Sequence, residues 1–452
     1  MTTPGPSVAH LLGGEVGRHA RPGGRWRSAG PWAMLALTAS WLILMFRQVA
    51  CLRGGDAYQN MCYSDVTALF YWRGVRDGLV PYLESDLEYP VLTGMLIDFS
   101  RRIVNLLGGQ TAPGVEGEAL AHASGLFFGV TAVLMFAGFA VLVWAHLKMS
   151  RPWDALMIAA SPAIMTTALI NWDALVVALT SLGLLAWARK RPGWAGIWLG
   201  LGVAAKLYPV LVLVPLAFLC LRAGRWRPFF ITAGTTAAAW IAVNLPVYLL
   251  APQGWLNFWT FNVDRGADLG SFWYVLQLAG LQLDHISTWN AALMVLGTLA
   301  LGALLLFAPQ RPRLAQGVFL IVTWFLVLNK VYSPQYVLWL LPLLVLARPR
   351  WLDWALFTVA ETAYFMAIWA HLGGMTGPGF GNGQDRIYMA AVVLRVLVQL
   401  WLCVQVIRDA WTPARDIVRA GGLDDPDGGL LDGRPDAPWL QKWTTLRQAQ
   451  GS

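Results

Sequence analysis

The chain has 452 residues, of which 57% are hydrophobic and only 13% charged, and its mean hydropathy is +0.52. Apolar runs of roughly 20 residues recur along it, which excludes a water-soluble globular protein and a β-barrel of short alternating strands. The net charge of +8 does not indicate nucleic acid binding, because the basic residues cluster in short turns between apolar runs. The composition therefore predicts an all-α integral membrane protein, without nucleic acid as a partner.

The N-terminal segment, residues 1–30, is rich in Gly, Pro and Arg. The apolar run that follows, residues 31–51, is long enough to cross a bilayer, so we do not expect a cleaved signal peptide. Four arginines precede this run. The positive-inside rule therefore predicts that the N-terminus is cytoplasmic.

The first loop, residues 52–118, is expected on the extracytoplasmic side. Residues 62–90 concentrate charged and aromatic side chains, which beside a membrane span usually face water, a substrate or each other. Residues 91–107 are amphipathic and are predicted to lie along the outer interface. Cys51 and Cys62 could form a disulfide if both lie outside.

The remaining apolar runs give a polytopic bundle of about 12 spans with both termini inside. The predicted spans cover residues 31–51, 119–147, 153–169, 173–188, two half-helices within 194–222, 228–250, 289–308, 314–329, 333–347, 351–371 and 386–408. Nearly every basic turn then falls on one side of the membrane. We define residues 31–408 as the membrane domain, with 251–288 as a second external loop. The Asp-, Gly- and Pro-rich segment 409–452 is predicted to be a disordered cytoplasmic tail.

Residues 194–222 are predicted to be broken in the middle. As one helix they would carry a basic turn to the outside, whereas two half-helices return the chain to the inside. The break is expected at Lys206, because Pro209 follows it closely. Broken helices at membrane depth line cavities, and a buried lysine there is costly. Lys206 therefore indicates a ligand or an ionic partner.

The other polar groups of the outer side allow two interpretations each. Asp65 is a candidate general base or a helix N-cap. Arg73 and Arg76 either pair with nearby acids or bind a ligand, and Lys330 could simply extend to the interface. The aromatic residues between 255 and 273 could form an interfacial belt. The six His residues show no metal-binding spacing, so neither a metal nor another cofactor is expected.

Several of these motifs together resemble glycosyltransferase family 87 of the GT-C superfamily. The motifs are Asp65 after the first span, Glu88-Tyr89-Pro90, Asn171-Trp172-Asp173, Ala205-Lys206-Leu207-Tyr208-Pro209, and Ser333-Pro334-Gln335-Tyr336 followed by Leu341-Pro342. The family includes actinobacterial mannosyltransferases that use polyprenyl-phosphate mannose. The resemblance covers roughly residues 31–408.

The resemblance implies a GT-C-like, metal-independent inverting enzyme whose active site lies in the first external loop of a multi-pass cell-membrane protein. It would move a sugar, mannose first, from a polyprenyl-phosphate donor to a glycolipid or glycan acceptor. Asp65 would be the base, with Asp56 as an alternative, and Lys206 would bind the lipid phosphate. The other candidate substrate-binding residues are Arg73, Arg76, Glu88, Tyr89, Asp173, Tyr208, Arg265, Lys330, Tyr332 and Gln335. Arabinofuranosyl transfer and a transporter of lipid-linked sugars are the alternatives, the latter expected to carry charges along its whole path and paired broken helices.

Overall fold

A computed structural model describes residues 28–281, 283–377 and 385–440, and this part of the chain forms helices and no β-strand. The α-helices, numbered in chain order, are α1 Ala29–Leu52, α2 Asp65–Trp72, α3 Val91–Leu106, α4 Gly117–Leu147, α5 Ala155–Ala159, α6 Pro162–Thr167, α7 Asp173–Ala188, α8 Pro192–Ala205, α9 Leu213–Arg222, α10 Trp226–Leu250, α11 Pro252–Asp264, α12 Phe272–Leu278, α13 Ile286–Phe307, α14 Leu314–Leu328, α15 Val337–Ala347, α16 Trp351–Leu372 and α17 Arg386–Trp411. Short 3₁₀ helices cover Pro152–Asp154, Tyr208–Val212, Pro334–Tyr336, Pro413–Arg415, Ile417–Arg419 and Gly429–Leu431.

Six of these helices are long and apolar enough to cross a membrane, judged within the described ranges. They are α1, α4, α10, α13, α16 and α17. The helices α7 and α14 are apolar but have only 16 and 15 residues. At 1.5 Å per residue they are shorter than a hydrocarbon core of about 30 Å. The count of about twelve spans therefore stays a prediction.

The predicted third span, 153–169, is not one continuous helix. It is divided into α5 and α6, which are separated by Ala160 and Ser161, and Pro162 begins α6. The Ser161 side chain accepts a hydrogen bond from the N–H of Ala163 and so begins a new helix. Proline has no N–H and favours the first turn of a helix over its interior. The prediction treated the run by hydropathy alone and missed this local signal.

The predicted break at Lys206 is confirmed. Helix α8 ends at Ala205, and Lys206 has an extended backbone with φ −157° and ψ 148°. The carbonyl of Ala205 accepts a hydrogen bond of 2.8 Å from the Thr93 hydroxyl of α3, which satisfies a helix-end group that would otherwise lack a partner. Pro209 then lies in the following 3₁₀ helix. The amphipathic helix α3 thus helps to fix the position of the break.

Close packing against α10 fixes the position of α8. A Cβ atom at Gly196 would lie 2.2 Å from the Thr232 carbonyl oxygen, and one at Gly200 would lie 2.3 Å from that of Thr236. These glycines are four residues apart and therefore lie on the same face of the helix. Small residues at this spacing let two helix backbones approach closely, as is common between membrane helices.

The first loop is attached to the bundle through a disulfide and through α3. Cys51, in the last turn of α1, and Cys62 form a disulfide. The amphipathic segment predicted over 91–107 is α3, and it packs against α4 and α8. The location of α3 along a membrane interface stays a prediction.

The C-terminal segment contradicts the prediction of disorder over the part that is described. Residues up to 440 fold back onto the turns between the helices. The ion pairs that hold them there are Arg222–Asp436 at 2.8 Å, Arg311–Asp424 at 3.1 Å and Arg313–Asp416 at 2.7 Å. Aspartates that contributed to the prediction of disorder are therefore partners of buried arginines. Residues 441–452 and the predicted N-terminal segment up to residue 27 lie outside the described residues.

Candidate active site

A cavity of about 850 Å³ lies where the first loop meets the break after α8. Its lining comes from the first loop, α2, the turn before α7, the break itself, α11, the segment 329–336 and the end of α16. Within the described residues it brings together most of the polar positions singled out in the sequence.

Asp65 is held at the cavity by the turn that begins α2. Ser64 is the N-cap of this helix, since its hydroxyl oxygen accepts from the N–H of Val66 at 3.2 Å. The Ser64 hydroxyl donates to the carbonyl of Leu169, and the Asp65 N–H donates to that of Ile170 at 2.7 Å. The N-cap interpretation of Asp65 is therefore wrong, and its carboxyl group is free for another role.

Neutral donors surround the Asp65 carboxyl group. Oδ2 accepts a hydrogen bond of 2.8 Å from the Asn171 amide and one of 3.3 Å from the Tyr89 hydroxyl. The Tyr63 phenol interacts with the same carboxyl group. Arg73, Lys206 and Arg265 also line the cavity, but each is paired with another carboxylate. Among the charged lining residues that the structure describes, Asp65 alone has no ion pair.

The surroundings of Asp65 act on its pKa in opposite directions. Burial raises the pKa above the ordinary aspartate value. Interactions with Tyr63 and Asn171, the positive charge of Lys206 and the hydrogen bond from Tyr89 oppose this rise. Burial also raises the pKa of Tyr63 above its usual range, so the phenol stays protonated and can donate. The result is a carboxylate that is a stronger proton acceptor than one fully exposed to water.

Lys206 occupies an aromatic cage with one buried counter-ion. Its Nζ lies 2.9 Å from Oδ1 of Asp173, which also accepts a hydrogen bond of 2.7 Å from the Trp339 indole. The same Nζ lies 5.3 Å from the ring centre of Tyr336, 5.5 Å from that of Trp339 and 5.8 Å from that of Tyr89. Cations are attracted to ring faces at such distances. Asp173 is fully buried, and its Oδ2 has no hydrogen-bond partner in the described part of the chain.

Other predicted site residues line the same cavity with partners of their own. Arg73 and Glu88 form a bidentate pair with N–O distances of 2.7 and 3.0 Å. Arg265 lies 2.6 Å from Asp268. The remaining predicted residues in the lining are Tyr89, Tyr208 and Gln335. The Oε1 atom of Gln335 is buried and has no hydrogen-bond partner among the described residues.

Four predicted residues do not line the cavity. Asp173 lies behind Lys206. Arg76 is 3.6 Å from its neighbour Asp77, and Lys330 donates to backbone oxygens, at 3.0 Å to that of Val263. The fourth, Tyr332, turns its hydroxyl into the bundle.

Asp56, the alternative base, also lies away from the cavity lining. It is exposed in a turn, where its carboxylate accepts from the N–H groups of Tyr58 and Gln59.

A buried polar network beneath the cavity escaped the sequence analysis. Arg395 donates to the Tyr332 carbonyl at 2.9 Å and to Glu361 at 3.1 Å, and its guanidinium lies 3.4 Å from the Tyr332 ring centre. Gln399 donates to the Tyr332 hydroxyl at 2.7 Å and to Glu361 at 2.6 Å. This network fixes the start of the segment that carries Gln335 into the cavity. The signal in the sequence was two charged residues inside the predicted spans 351–371 and 386–408.

Several aromatic residues that were not predicted as site residues also line the cavity. Three of them contact one another: Tyr58 and Tyr63 from the first loop, and Trp369 from α16. Nothing in the local sequence indicates that they meet.

One comparison with known proteins finds a matching family model. The model of Glycosyltransferase family 87 matches residues 119–329, a little under half of the chain. The match supports the family resemblance and glycosyltransferase activity in a membrane setting. The matched segment contains Asn171, Lys206 and Arg265, whereas Asp65 precedes it. No curated protein matches the chain.

Proposed function

We propose that this protein transfers a sugar from a polyprenyl-phosphate donor to a hydroxyl group of a glycolipid or glycan, with inversion at the anomeric carbon. Mannose is the first sugar to test and arabinofuranose the second. The family match supports the enzyme class, and the cavity beside the broken helix supports the place of the reaction. The donor, the sugar and the acceptor are our proposal.

The proposal rests on the location and surroundings of Asp65. A sugar hydroxyl is a poor nucleophile until a base within hydrogen-bond reach takes its proton. Asp65 lines the cavity, lacks a salt-bridge partner in the described chain, and has a raised pKa. In the proposed reaction the acceptor oxygen forms a bond to the anomeric carbon while the bond from that carbon to the phosphate oxygen breaks. The proton passes to Asp65, and polyprenyl phosphate leaves with the bonding electrons.

Lys206 is proposed to balance the charge of the leaving phosphate. The Lys206 side chain is 11% exposed and lies at the break between half-helices, where a lipid headgroup could reach it. A phosphate would share this cation with Asp173, and the aromatic cage would hold the ammonium in place as the charge develops. Arg265 is another cation of the lining and a candidate helper.

The extracytoplasmic side is proposed for the cavity. The Cys51–Cys62 disulfide lies in the loop that carries Asp65, and disulfides persist in oxidising compartments. The basic turns 148–151, 189–191 and 348–350 belong to the opposite side by the positive-inside rule.

The test is transfer by the full-length protein in lipid vesicles with labelled polyprenyl-phosphate mannose and an alkyl mannoside acceptor. We expect a new glycosidic bond in the product, detected by mass spectrometry. A transporter would instead move the labelled lipid between leaflets and leave the acceptor unchanged. Leaflet exchange without product, with either sugar donor, would overturn the proposal.

A further inference from the structure

The aromatic residues Tyr58, Tyr63 and Trp369 form one cluster at the cavity. The rings of Tyr58 and Tyr63 have centres 5.7 Å apart with planes inclined by 20°. The Trp369 ring lies 6.0 Å from Tyr58 and 5.3 Å from Tyr63. All three side chains line the cavity, so a bound molecule can reach this cluster.

This cluster is built by elements that hold it rigidly. Tyr58 lies in the short loop closed by the Cys51–Cys62 disulfide, and Tyr63 follows the second cysteine directly. A Cβ atom at Gly373, just after α16, would lie 3.4 Å from the Cβ of Tyr58, so this loop packs against the end of that helix. The rings are therefore placed before any ligand binds, which lowers the entropy cost of binding.

The Asp65 carboxyl group joins this cluster to the Lys206 cage. It accepts a hydrogen bond from Tyr89, whose ring belongs to the cage, and it interacts with Tyr63 of the cluster. In an inverting displacement the attacking and leaving oxygens lie on opposite faces of the anomeric carbon. The base must contact the attacking oxygen, whereas the phosphate-binding cation belongs with the leaving oxygen. The cluster of Tyr58, Tyr63 and Trp369 adjoins the base and is not part of the Lys206 cage. Its position is therefore suited to binding the acceptor.

We propose that Tyr58, Tyr63 and Trp369 form the acceptor subsite and that they recognise the apolar face of a sugar ring. Aromatic rings offer a flat, rigid apolar surface for such a face, and their edges leave the sugar hydroxyls free for polar contacts. The acceptor is then a glycoside whose ring rests on the cluster with one hydroxyl directed at Asp65. A plain lipid alcohol lacks this ring and is a poor acceptor. This inference rests on the proposed transferase function and names the part of the site that selects the acceptor.

The experiment compares two acceptors that share one alkyl chain. Octyl α-mannopyranoside presents a sugar ring, and 1-octanol presents only a hydroxyl group. The full-length protein in phospholipid nanodiscs receives labelled polyprenyl-phosphate mannose, and transfer to each acceptor and to water is measured separately. Wild-type protein should use the mannoside and scarcely use octanol. Equal use of the two acceptors would overturn the subsite.

Substitutions then locate the recognition. Tyr58→Leu and Trp369→Leu should each raise the KM for octyl mannoside about ten-fold, the scale of one lost aromatic contact, while the donor KM stays the same. Trp351→Leu is the matched control, because it changes the same residue type at the other end of α16, where the side chain is 56% exposed. The control should leave both KM values unchanged. A raised donor KM with an unchanged acceptor KM would assign the cluster to the donor and refute the proposal.

A further variant separates the contribution of the Tyr63 ring from that of its hydroxyl group. Tyr63→Phe keeps the ring and removes the group that interacts with Asp65, so the acceptor KM should change little while the pH dependence moves. If Trp369→Leu does not fold, Tyr58→Leu and Trp369→Phe decide the question, and the latter should retain most of the acceptor affinity. If Tyr58→Leu uses the donor at the normal rate and its acceptor KM is unaltered, only the acceptor-subsite proposal is refuted. If the wild-type protein does not use the donor at all, the proposed transferase function is refuted as well.

Discussion

The Asn171 amide donates a 2.8 Å hydrogen bond to the Asp65 carboxylate, although the two residues lie 106 positions apart in the chain. The same amide donates to the Tyr89 hydroxyl. Asn171 thus orients both the carboxylate and its other donor. The geometry of the candidate base depends on the turn before α7, which holds α2 in place through backbone carbonyl groups.

Replacing Asp65 by Asn should abolish transfer while the protein still folds and binds donor. Asparagine keeps the size of the side chain, and Ser64 rather than Asp65 caps α2. The lost base should lower kcat by about 10²–10⁴-fold. The matched control is Asp56→Asn, in an exposed turn away from the cavity, which should retain activity. Normal turnover by the Asp65 variant would refute its role, and an inactive Asp56 variant alone would assign the base to Asp56.

The pH dependence should report the Asp65 carboxyl group. The ionised form is the base, so kcat/KM falls as the pH drops through its pKa, which lies above the ordinary aspartate value of about 3.9. Asn171→Ala removes a donor that stabilises the carboxylate, so the acid limb should move to higher pH. Asn105→Ala is the control, since Asn105 bonds Thr111 outside the cavity lining. An acid limb that stays in place in the Asn171 variant would contradict this assignment.

Lys206 should be tested together with its counter-ion. Lys206→Met leaves the fully buried Asp173 without its cation, and breaking a buried ion pair costs about 3–5 kcal/mol of stability. The double variant with Asp173→Asn removes both charges and should unfold at a higher temperature than the single variant. Its donor KM should nevertheless remain raised, because the phosphate has lost its cation. A double variant with wild-type donor KM would exclude Lys206 from phosphate binding.

The buried Glu361–Arg395 pair should position the segment that enters the cavity. Arg395→Met leaves Glu361 buried without its cation, so the single variant should lose stability by about 3–5 kcal/mol. The double variant with Glu361→Gln should recover stability in thermal unfolding. It should still have reduced kcat/KM, because the Tyr332 carbonyl loses its donor and Gln335 is held less firmly. Full activity of the double variant would show that the pair serves the fold alone.

Sidedness should be visible by thiol labelling in intact cells. Gly266 is exposed, and a Cβ atom there would meet no other atom within 4 Å, so Gly266→Cys tolerates a probe. It should react with an impermeant reagent, whereas Gln310→Cys, exposed in the turn after α13, should react only after permeabilisation. The reverse pattern would invert the proposed orientation.

The sequence predicted those features that local signals encode. Apolar runs located most of the long helices, and the proline after Lys206 marked the break. The sequence also singled out Asp65, Lys206 and Tyr89, which line one cavity, because polar residues are rare beside membrane spans.

Features that depend on distant contacts were not predictable. Tyr58 and Trp369 meet only because the first loop packs against the end of α16, and no pattern near either residue records this. Lys330 and Tyr332 looked equivalent to Gln335 in sequence. The side chains of Lys330 and Tyr332 form hydrogen bonds with other parts of the chain. Of these three residues, only Gln335 therefore lines the cavity.

The folded-back C-terminal segment makes two turns of the bundle depend on residues that follow α17 in the chain. Arg222, Arg311 and Arg313 are 2–6% exposed, and their carboxylate partners lie beyond residue 411. While the ribosome is still making α17, all three cations lack those partners, and burying them unpaired is costly. The turns after α9 and before α14 therefore gain these buried ion pairs only after the residues that follow α17 have been synthesised.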